Sequence, residues 1–546
     1  MLHNDVMKSP LSRRRLVSYG LAGAALGATG LMAGCSGGDA DGAGSGDRGG
    51  NSSAVLPAYL AFDAAAPDAK GENGSTDYYQ HYPATPPVTV PEMPGDGKEI
   101  SAMLSIFYPA WPDAPENTAL DELNTRLGSA LKFQQVPGAE YVNKFQTVIA
   151  GDDLPMMMEI GNVARLPELL RSKFIDLSEH LSGDAVKKYP NLANLPTASW
   201  RAAVFNKAIY GIPATRGLWQ TGIMFQRDDL IKARGSNAAE VKNFDDFLAL
   251  CVDLTDGRKT FALGTMPINH VRGMLRIPNG WRLEGGKLTN AYEVPEQEEA
   301  LNALQKVVAA NVVRPDWATM SGDQVRQIFT DGEVLMINGT YQAWTRYHRQ
   351  HTEKTPFDFD GLPIPGFDGG QGVLAVAAPT YSIGAISKGN EDRLETLLRV
   401  WNYLAAPFGS AEQLTVLYGR EGSDYNLNGT DPVQTEKGVS DAMLLTTIVC
   451  APQVAYYPNN PAVAEKCYQH MKSVAPLAVD NPVRYTYSDT QSSKAVTLAR
   501  VVDDTFTDIV LGRRKISEWA SAVDTWRKNG GDQIRGELEE AVANGG

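Results

Sequence analysis

Between Ile100 and Ile160 the apolar positions change spacing repeatedly. Ile100 to Tyr108 is a nearly unbroken apolar run that predicts a strand, followed by a loop at Pro109-Ala110-Trp111-Pro112. Leu120, Leu123 and Leu127 then recur at helical spacing, and Leu131 to Val136 returns to strand character. Tyr141, Phe145, Val148 and Ile149 predict a second helix that stops at Gly151, ahead of the apolar strand Met156-Met157-Met158-Glu159-Ile160. The order β-α-β-α-β is the rhythm of a largely parallel sheet with helices on its faces.

A second series follows Ile212-Pro213. Asn243 is placed to cap a helix reaching Leu254, and Pro295 to start one with Leu301, Leu304 and Val308 on a single face. Ser321 to Thr330 reads as a short helix feeding the strand Val334-Leu335-Met336-Ile337. Trp401 and Trp526 fall inside helical patterns and are expected in packing. No internal repeat recurs at a fixed period, so the chain reads as an α/β protein of two lobes. Ahead of them, Ala54 to Lys98 is rich in Pro, Gly and Tyr and predicts an extended lead-in that wraps the body without a core of its own.

The first 35 residues change the picture from fold to location. Ser12-Arg13-Arg14-Arg15-Leu16-Val17 opens a Gly- and Ala-rich apolar stretch that runs into Leu31-Met32-Ala33-Gly34-Cys35. This is a basic segment, a soft apolar segment and small residues before a cut. The arginines resemble a twin-arginine export signal, and Met32-Ala33-Gly34-Cys35 resembles a bacterial lipobox, which would make Cys35 the lipid-modified first residue of the mature protein. The alternative is a single membrane-spanning anchor. Gly20, Gly23, Gly27 and Gly30 count against it, since each Gly costs about 1 kcal/mol of helix relative to Ala. Ser36 to Ser53, almost wholly Gly, Ser, Asp and Ala, reads as a flexible tether.

With 43% hydrophobic and 21% charged residues, the body has the composition of a globular protein. The net charge is −14, of which the leader contributes +3 (Lys8, Arg13, Arg14 and Arg15 against Asp5), so the remainder carries −17. That excludes nucleic acid as a partner, and disfavours a strongly anionic ligand unless basic residues gather in one cleft. Of the four cysteines, Cys35 belongs to the lipobox and Cys251 sits in the apolar run Phe247 to Val252, where a buried inert thiol is the default. Spacing leaves a Cys450–Cys467 disulfide open.

The order of short phrases along the body resembles the extracellular solute-binding proteins of ABC importers, in their long, lipid-anchored oligosaccharide branch. The phrases are Ala150-Gly151-Asp152-Asp153-Leu154-Pro155, Phe174-Ile175-Asp176-Leu177, Tyr210-Gly211-Ile212-Pro213 with Arg227-Asp228-Asp229-Leu230, Phe329 to Met336, and Gly419-Arg420-Glu421-Gly422-Ser423-Asp424-Tyr425. The resemblance implies a type II periplasmic-binding-protein-like fold: two α/β lobes, a hinge, and a ligand cleft between the lobes. It implies a non-catalytic protein that captures an oligosaccharide or related solute and delivers it to a membrane permease; a monomer without cofactor is expected, and with no matching acidic loop in the sequence no metal is expected either. The expected division is 1–35 leader, 36–98 tether and lead-in, 99–212 first lobe, 213–375 second lobe, and 376–546 segments that return to complete both.

Binding side chains in such a fold belong in loops at the carboxyl ends of strands. That rule selects Tyr108 and Trp111 after the first strand, Asn162 after Met156 to Ile160, and Tyr341 and Trp344 after Val334 to Ile337. Arg216 and Trp219 lie where the resemblance puts a crossing between lobes, and Glu421 and Tyr425 in its Gly-rich turn. Aromatic faces stack on sugar rings, and polar groups bond to hydroxyls.

Two metal-like patterns are weak. Asp424-Tyr425-Asn426-Leu427-Asn428-Gly429 matches the first half of a calcium loop, but Thr435 stands where a glutamate is required, and Asn428-Gly429 is equally a hairpin turn, the reading favoured here. His348 and His351 share a helical face beside Arg346 and Arg349, and a solvated face is expected. The rival function is an exported carbohydrate-active enzyme, which needs two carboxylates facing each other across the sugar bond. G-x-S-x-G, H-E-x-x-H and Walker signatures are missing from the sequence.

Overall fold

The computed structural model describes residues 51–107, 109–161, 163–351, 357–443 and 445–544. The leader, Cys35 and residues 36–50 of the tether fall outside them; its last residues, Asn51–Ser53, are a 3-10 turn, not a flexible stretch, because the Asn51 side chain is bonded to Val204 and Lys207.

The first lobe is built as the apolar spacing predicts. β1 (Ile100–Ile106), α1 (Thr118–Leu127), β2 (Leu131–Pro137), α2 (Tyr141–Gly151) and β3 (Met157–Glu159) follow in order, with β1 pairing in parallel to both β2 and β3. Asn117 caps α1 by accepting from the Leu120 N–H, and Leu120, Leu123 and Leu127 are its buried stripe. A small-helix region then leads to β4 (Ile212–Thr215), after which the chain crosses to the second lobe.

There β5 (Gly222–Gln226), α3 (Phe244–Asp253), β6 (Phe261–Leu263), α4 (Glu296–Ala309), α5 (Gly322–Thr330), β7 (Val334–Thr340), α6 (Trp344–His351) and β8 (Asp360–Gly361) form the main part. The helix starts fall where the sequence puts them: the Asn243 side chain accepts from the Asp246 N–H at 2.8 Å, Pro295 sits at the head of α4, and Ser321 and Gln324 form a reciprocal capping box. The chain returns to the first lobe as β9 (Thr380–Ile386) and α7 (Leu394–Leu404), adds the hairpin β10 (Tyr425–Asn428) and β11 (Asp431–Gln434), and goes back for α8 (Pro461–Val474) and α9 (Asp489–Val510).

The first sheet has the order β2-β1-β3-β9-β4 and the second β8-β5-β7-β6. Each contains one reversed strand: β9 is antiparallel to β3 and β4, and β5 is antiparallel to β7 and β8. Both follow directly on a crossing and so enter their sheet from the opposite end. The crossings run side by side, with Arg216 and Gly217 N–H donating to the Pro379 carbonyl at 2.7 and 3.0 Å and Ala214 bridging to Cys450. One apolar core fills the first lobe, and two lie in the second, on the two faces of its sheet. Trp401 and Trp526 are buried in them, as expected.

Three chemical expectations resolve here. Cys251, Cys450 and Cys467 are all free and buried, so the Cys450–Cys467 disulfide does not form; Cys450 lies on a crossing and Cys467 inside α8. Asn428-Gly429 makes the β10–β11 turn, with Gly429 at φ +62°, a conformation glycine adopts without strain. The buried Asp424 carboxylate is taken up by the Thr118 hydroxyl and the Arg420 N–H, and among the described residues no group of three or more metal-ligating side chains assembles. His348 is not solvated: its ring lies flat on Phe359 at 4.7 Å inside the second lobe, and burial holds its pKa down to about 4. The His351 side chain lies outside the described residues.

Candidate functional site

Strand direction decides which side chains meet. β1, β3 and β4 run the same way, so their carboxyl ends share one edge of the first sheet, and the reversed β9 brings its amino end to that edge. Phe107, Glu159, Arg216 and Tyr381 therefore converge from four separate stretches of sequence.

Phe107 is 48% exposed, an unusual setting for a large apolar ring, and stands edge-on to Tyr381 at 6.3 Å. The Arg216 guanidinium lies over the other part of the pair, 4.0 Å from the Tyr381 ring centroid, a cation–π contact worth about 0.5–2 kcal/mol. Its two terminal nitrogens donate to Gln220 Oε1 at 2.9 Å and to the Thr446 carbonyl at 3.4 Å, while its Nε–H is sealed from solvent with no acceptor. Arg216 makes no ion pair with a carboxylate among the described residues, so its charge is available to a ligand.

Glu159 forms the floor. It is 6% exposed, its Oε2 accepts from the Ser105 N–H at 2.7 Å, and its carbonyl accepts from the Tyr141 hydroxyl at 2.6 Å. Burial pushes its carboxyl up to about 7, against the pull of the Ser105 and Thr447 bonds and the nearby Arg216 charge. Burial likewise pushes the Tyr381 hydroxyl up to about 12, so it stays a neutral donor at physiological pH. The site thus offers two aromatic edges or faces, a guanidinium, a phenol and a carboxyl that changes charge near neutrality.

The residues singled out by the strand-end rule and by the resemblance are distributed unevenly. Arg216 is in this cluster, whereas Trp219, in the turn Gly217–Gln220, is 7% exposed and belongs to the second-lobe core that also holds Tyr78, Ile223 and Tyr341, its indole N–H unbonded. Tyr108 and Asn162 lie outside the described residues, next to Phe107 and Gly161. Trp111 is 6% exposed and packs into the first-lobe core against Phe133, its backbone N–H and carbonyl both bonded to the Gln135 amide. Glu421 is exposed and Tyr425 buried beside Tyr418; their turn packs on the start of α1, and no hydrogen bond, ion pair or ring contact joins them to Arg216 or Tyr381.

Tyr341 and Trp344 go inward instead of into the cleft. Both are fully buried; the Tyr341 hydroxyl pairs with His470 Nδ1 at 2.7 Å, and the Trp344 ring is enclosed by Phe225, Phe359 and His470. The physical reason is α8, which arrives over a hundred residues later and covers the end of β7.

Phe107, Glu159 and Tyr381 were missed. Glu159 had a readable signal, the one acid in the run Met156 to Ile160. Tyr381 had none, because it opens its strand, and a rule built on carboxyl ends looks at the far end of a reversed strand.

The sequence profile of the bacterial extracellular solute-binding proteins matches residues 120–405. The chain is 23% identical over 475 residues to the polygalacturonan/rhamnogalacturonan-binding protein YtcQ of Bacillus subtilis, covering 82% of this chain and 92% of that protein. Lipoprotein LipO of the same organism matches with the same identity and coverage. Among solved structures, the N-glycan transport solute-binding protein NgtS of Streptococcus pneumoniae superposes with a TM-score of 0.62 at 16% identity, over 81% of this chain and 98% of that one.

Proposed function

Because the chain belongs to the bacterial extracellular solute-binding proteins, we propose that it captures an oligosaccharide between its lobes and presents it to an ABC permease. The observation that carries this reading is the Phe107–Tyr381–Arg216 stack above Glu159, at the edge of the first sheet that borders the crossings. Sugar rings bind through apolar faces on aromatic rings and through hydroxyls that both donate and accept, and this group supplies both kinds of partner. The names of YtcQ and NgtS, a pectin-type polysaccharide and an N-glycan, support the same ligand class.

In this reading Arg216 is a ligand contact, joined by Phe107, Glu159 and Tyr381. The first lobe is 99–212 with the return from 380 to about 449, and the second is 222–375 with 461–538. The protein works as a monomer, held at the outer face of the membrane by lipid on Cys35. Capture needs no bond to be made or broken.

The test is a glycan panel read by thermal shift and by product analysis. Saturable stabilisation without turnover supports capture; release of a cleaved glycan would sink it. With the identified glycan, Arg216→Ala and Tyr381→Ala should each weaken binding about tenfold, at a stability cost of about 0.5–2 kcal/mol from the lost cation–π contact.

A further inference from the structure

The lead-in is more than a cover. Its first part and the residues just ahead of it are fixed to the first lobe: the Asn51 side chain bonds to the Val204 carbonyl at 3.3 Å and the Lys207 N–H at 2.9 Å, the Ala58 N–H donates to the Gly183 carbonyl, and the Leu60 N–H to the Ala193 carbonyl. Its last part is fixed there too, since Thr89 and Val90 N–H donate to the Glu412 carboxylate and Asp96 holds Arg393.

The middle is fixed elsewhere. Ala69 and Tyr78 close a small hairpin that sits on the second lobe's α8: Tyr78 stacks on Tyr468 at 5.6 Å, the Tyr468 hydroxyl donates to the Lys70 carbonyl at 2.9 Å, and Glu72 pairs with Lys472 at 3.1 Å. The same hairpin edges the third crossing, where the Ala455 N–H donates to the Asp77 carbonyl at 2.7 Å and the Tyr79 N–H to the Ala455 carbonyl at 3.0 Å. Four residues after Tyr78 the chain is back on the first lobe, with the Tyr82 hydroxyl on the Ser410 carbonyl at 2.7 Å and its N–H on Asp431 at 2.9 Å.

We propose that residues 54–98 are a strap across the hinge, gripping the second lobe in the middle and the first at both ends, so that it limits how far the lobes part. The crossings at 216–221, 376–379 and 450–460 are where a two-lobe clamp bends. The strap is a fourth link beside them, and its tighter side is the short run from Tyr78 to Tyr82. Opening the clamp must stretch that run or pull the hairpin off α8. The strap therefore biases the lobes toward the arrangement in which its contacts are intact, and a ligand that favours the same arrangement gains by it. This holds whatever the ligand is.

The test needs no ligand. In a Cys35→Ser background, nitroxide labels at Thr125→Cys on the first lobe and Asp245→Cys on the second report the interlobe distance by pulsed electron resonance; both positions are exposed. Tyr78→Ala removes the stacked pair and should raise the open population about 2- to 12-fold, lengthening and broadening the distance distribution. A Gly-Ser-Gly-Ser insertion between the exposed Gln80 and His81 removes no contact and should shift the distribution the same way without lowering the melting temperature. Distributions that superpose on the parent in the insertion variant would overturn the proposal, and that variant decides alone if Tyr78→Ala fails to fold.

Discussion

The two lobes end their central strands in opposite ways. In the first lobe the strand ends stay open and polar: a half-exposed Phe107, a guanidinium without a carboxylate, and a carboxyl poised near neutrality. In the second lobe the end of β7 runs into a dry aromatic block of Tyr341, Trp344, Phe225 and Phe359, with His348 and His470 buried among them. The same local sequence feature, aromatics just after an apolar strand, becomes a binding surface in one place and a core in the other. What differs is how far a later segment reaches: the turn Leu445–Thr447 bonds to Arg216, Ser105 and Ser382 but leaves Phe107 half exposed, whereas α8 covers the end of β7.

The largest effect that could break this contrast is acid. Burial holds His270, His348 and His470 near a pKa of about 4, all in the second lobe. Unfolded, each takes up its proton near 6.5, so stability present above that pH is lost as pH falls toward 4. The loss is on the order of 3 kcal/mol per histidine when fully expressed. Asp360, pushed up to about 6 by burial, gives part of it back. Proteolysis across this range should open the second lobe first, and earlier cleavage in the first would erase the distinction.

Next in size, Trp344→Ala should cost about 3–5 kcal/mol in urea unfolding of the ligand-free protein, the usual loss for a fully buried indole. A nearly unchanged midpoint would return Trp344 to the cleft.

Glu159 tests the other lobe with the opposite sign. Its folded pKa of about 7 stands above the ordinary 4.5, so the folded state holds the proton more tightly, and stability falls as pH rises from 4.5 through 7. Glu159→Gln should remove that slope, on the order of 3 kcal/mol at most, and a mutant profile parallel to the wild type would show that the carboxyl is solvated. Smallest is the loss of one aromatic edge: Phe107→Ala should leave stability within about 0.5 kcal/mol, as befits an exposed position, and act on glycan affinity alone.

Much of the architecture was legible because it rests on local rules. The stripe Leu120, Leu123, Leu127 and the caps at Asn243 and Ser321 act within a single turn or helix, and the structure keeps each of them. Arg216 was legible from the resemblance, which puts a crossing between lobes after Pro213, and the structure places it at the end of β4. Tyr381 depended on the direction of β9, and Trp344 on the docking of α8; both are long-range facts that no window of sequence contains. The composition of the lead-in suggests a wrap, but its alternation between lobes depends on Tyr468 and Ala455, nearly four hundred residues away.

Asn51, fastened to Val204 and Lys207, has a mechanical consequence. Any pull from the chain ahead of it is received by the first lobe before it can reach the hairpin on α8. The first lobe thus carries the incoming chain as well as both ends of the strap, and the second lobe carries only the hairpin grip.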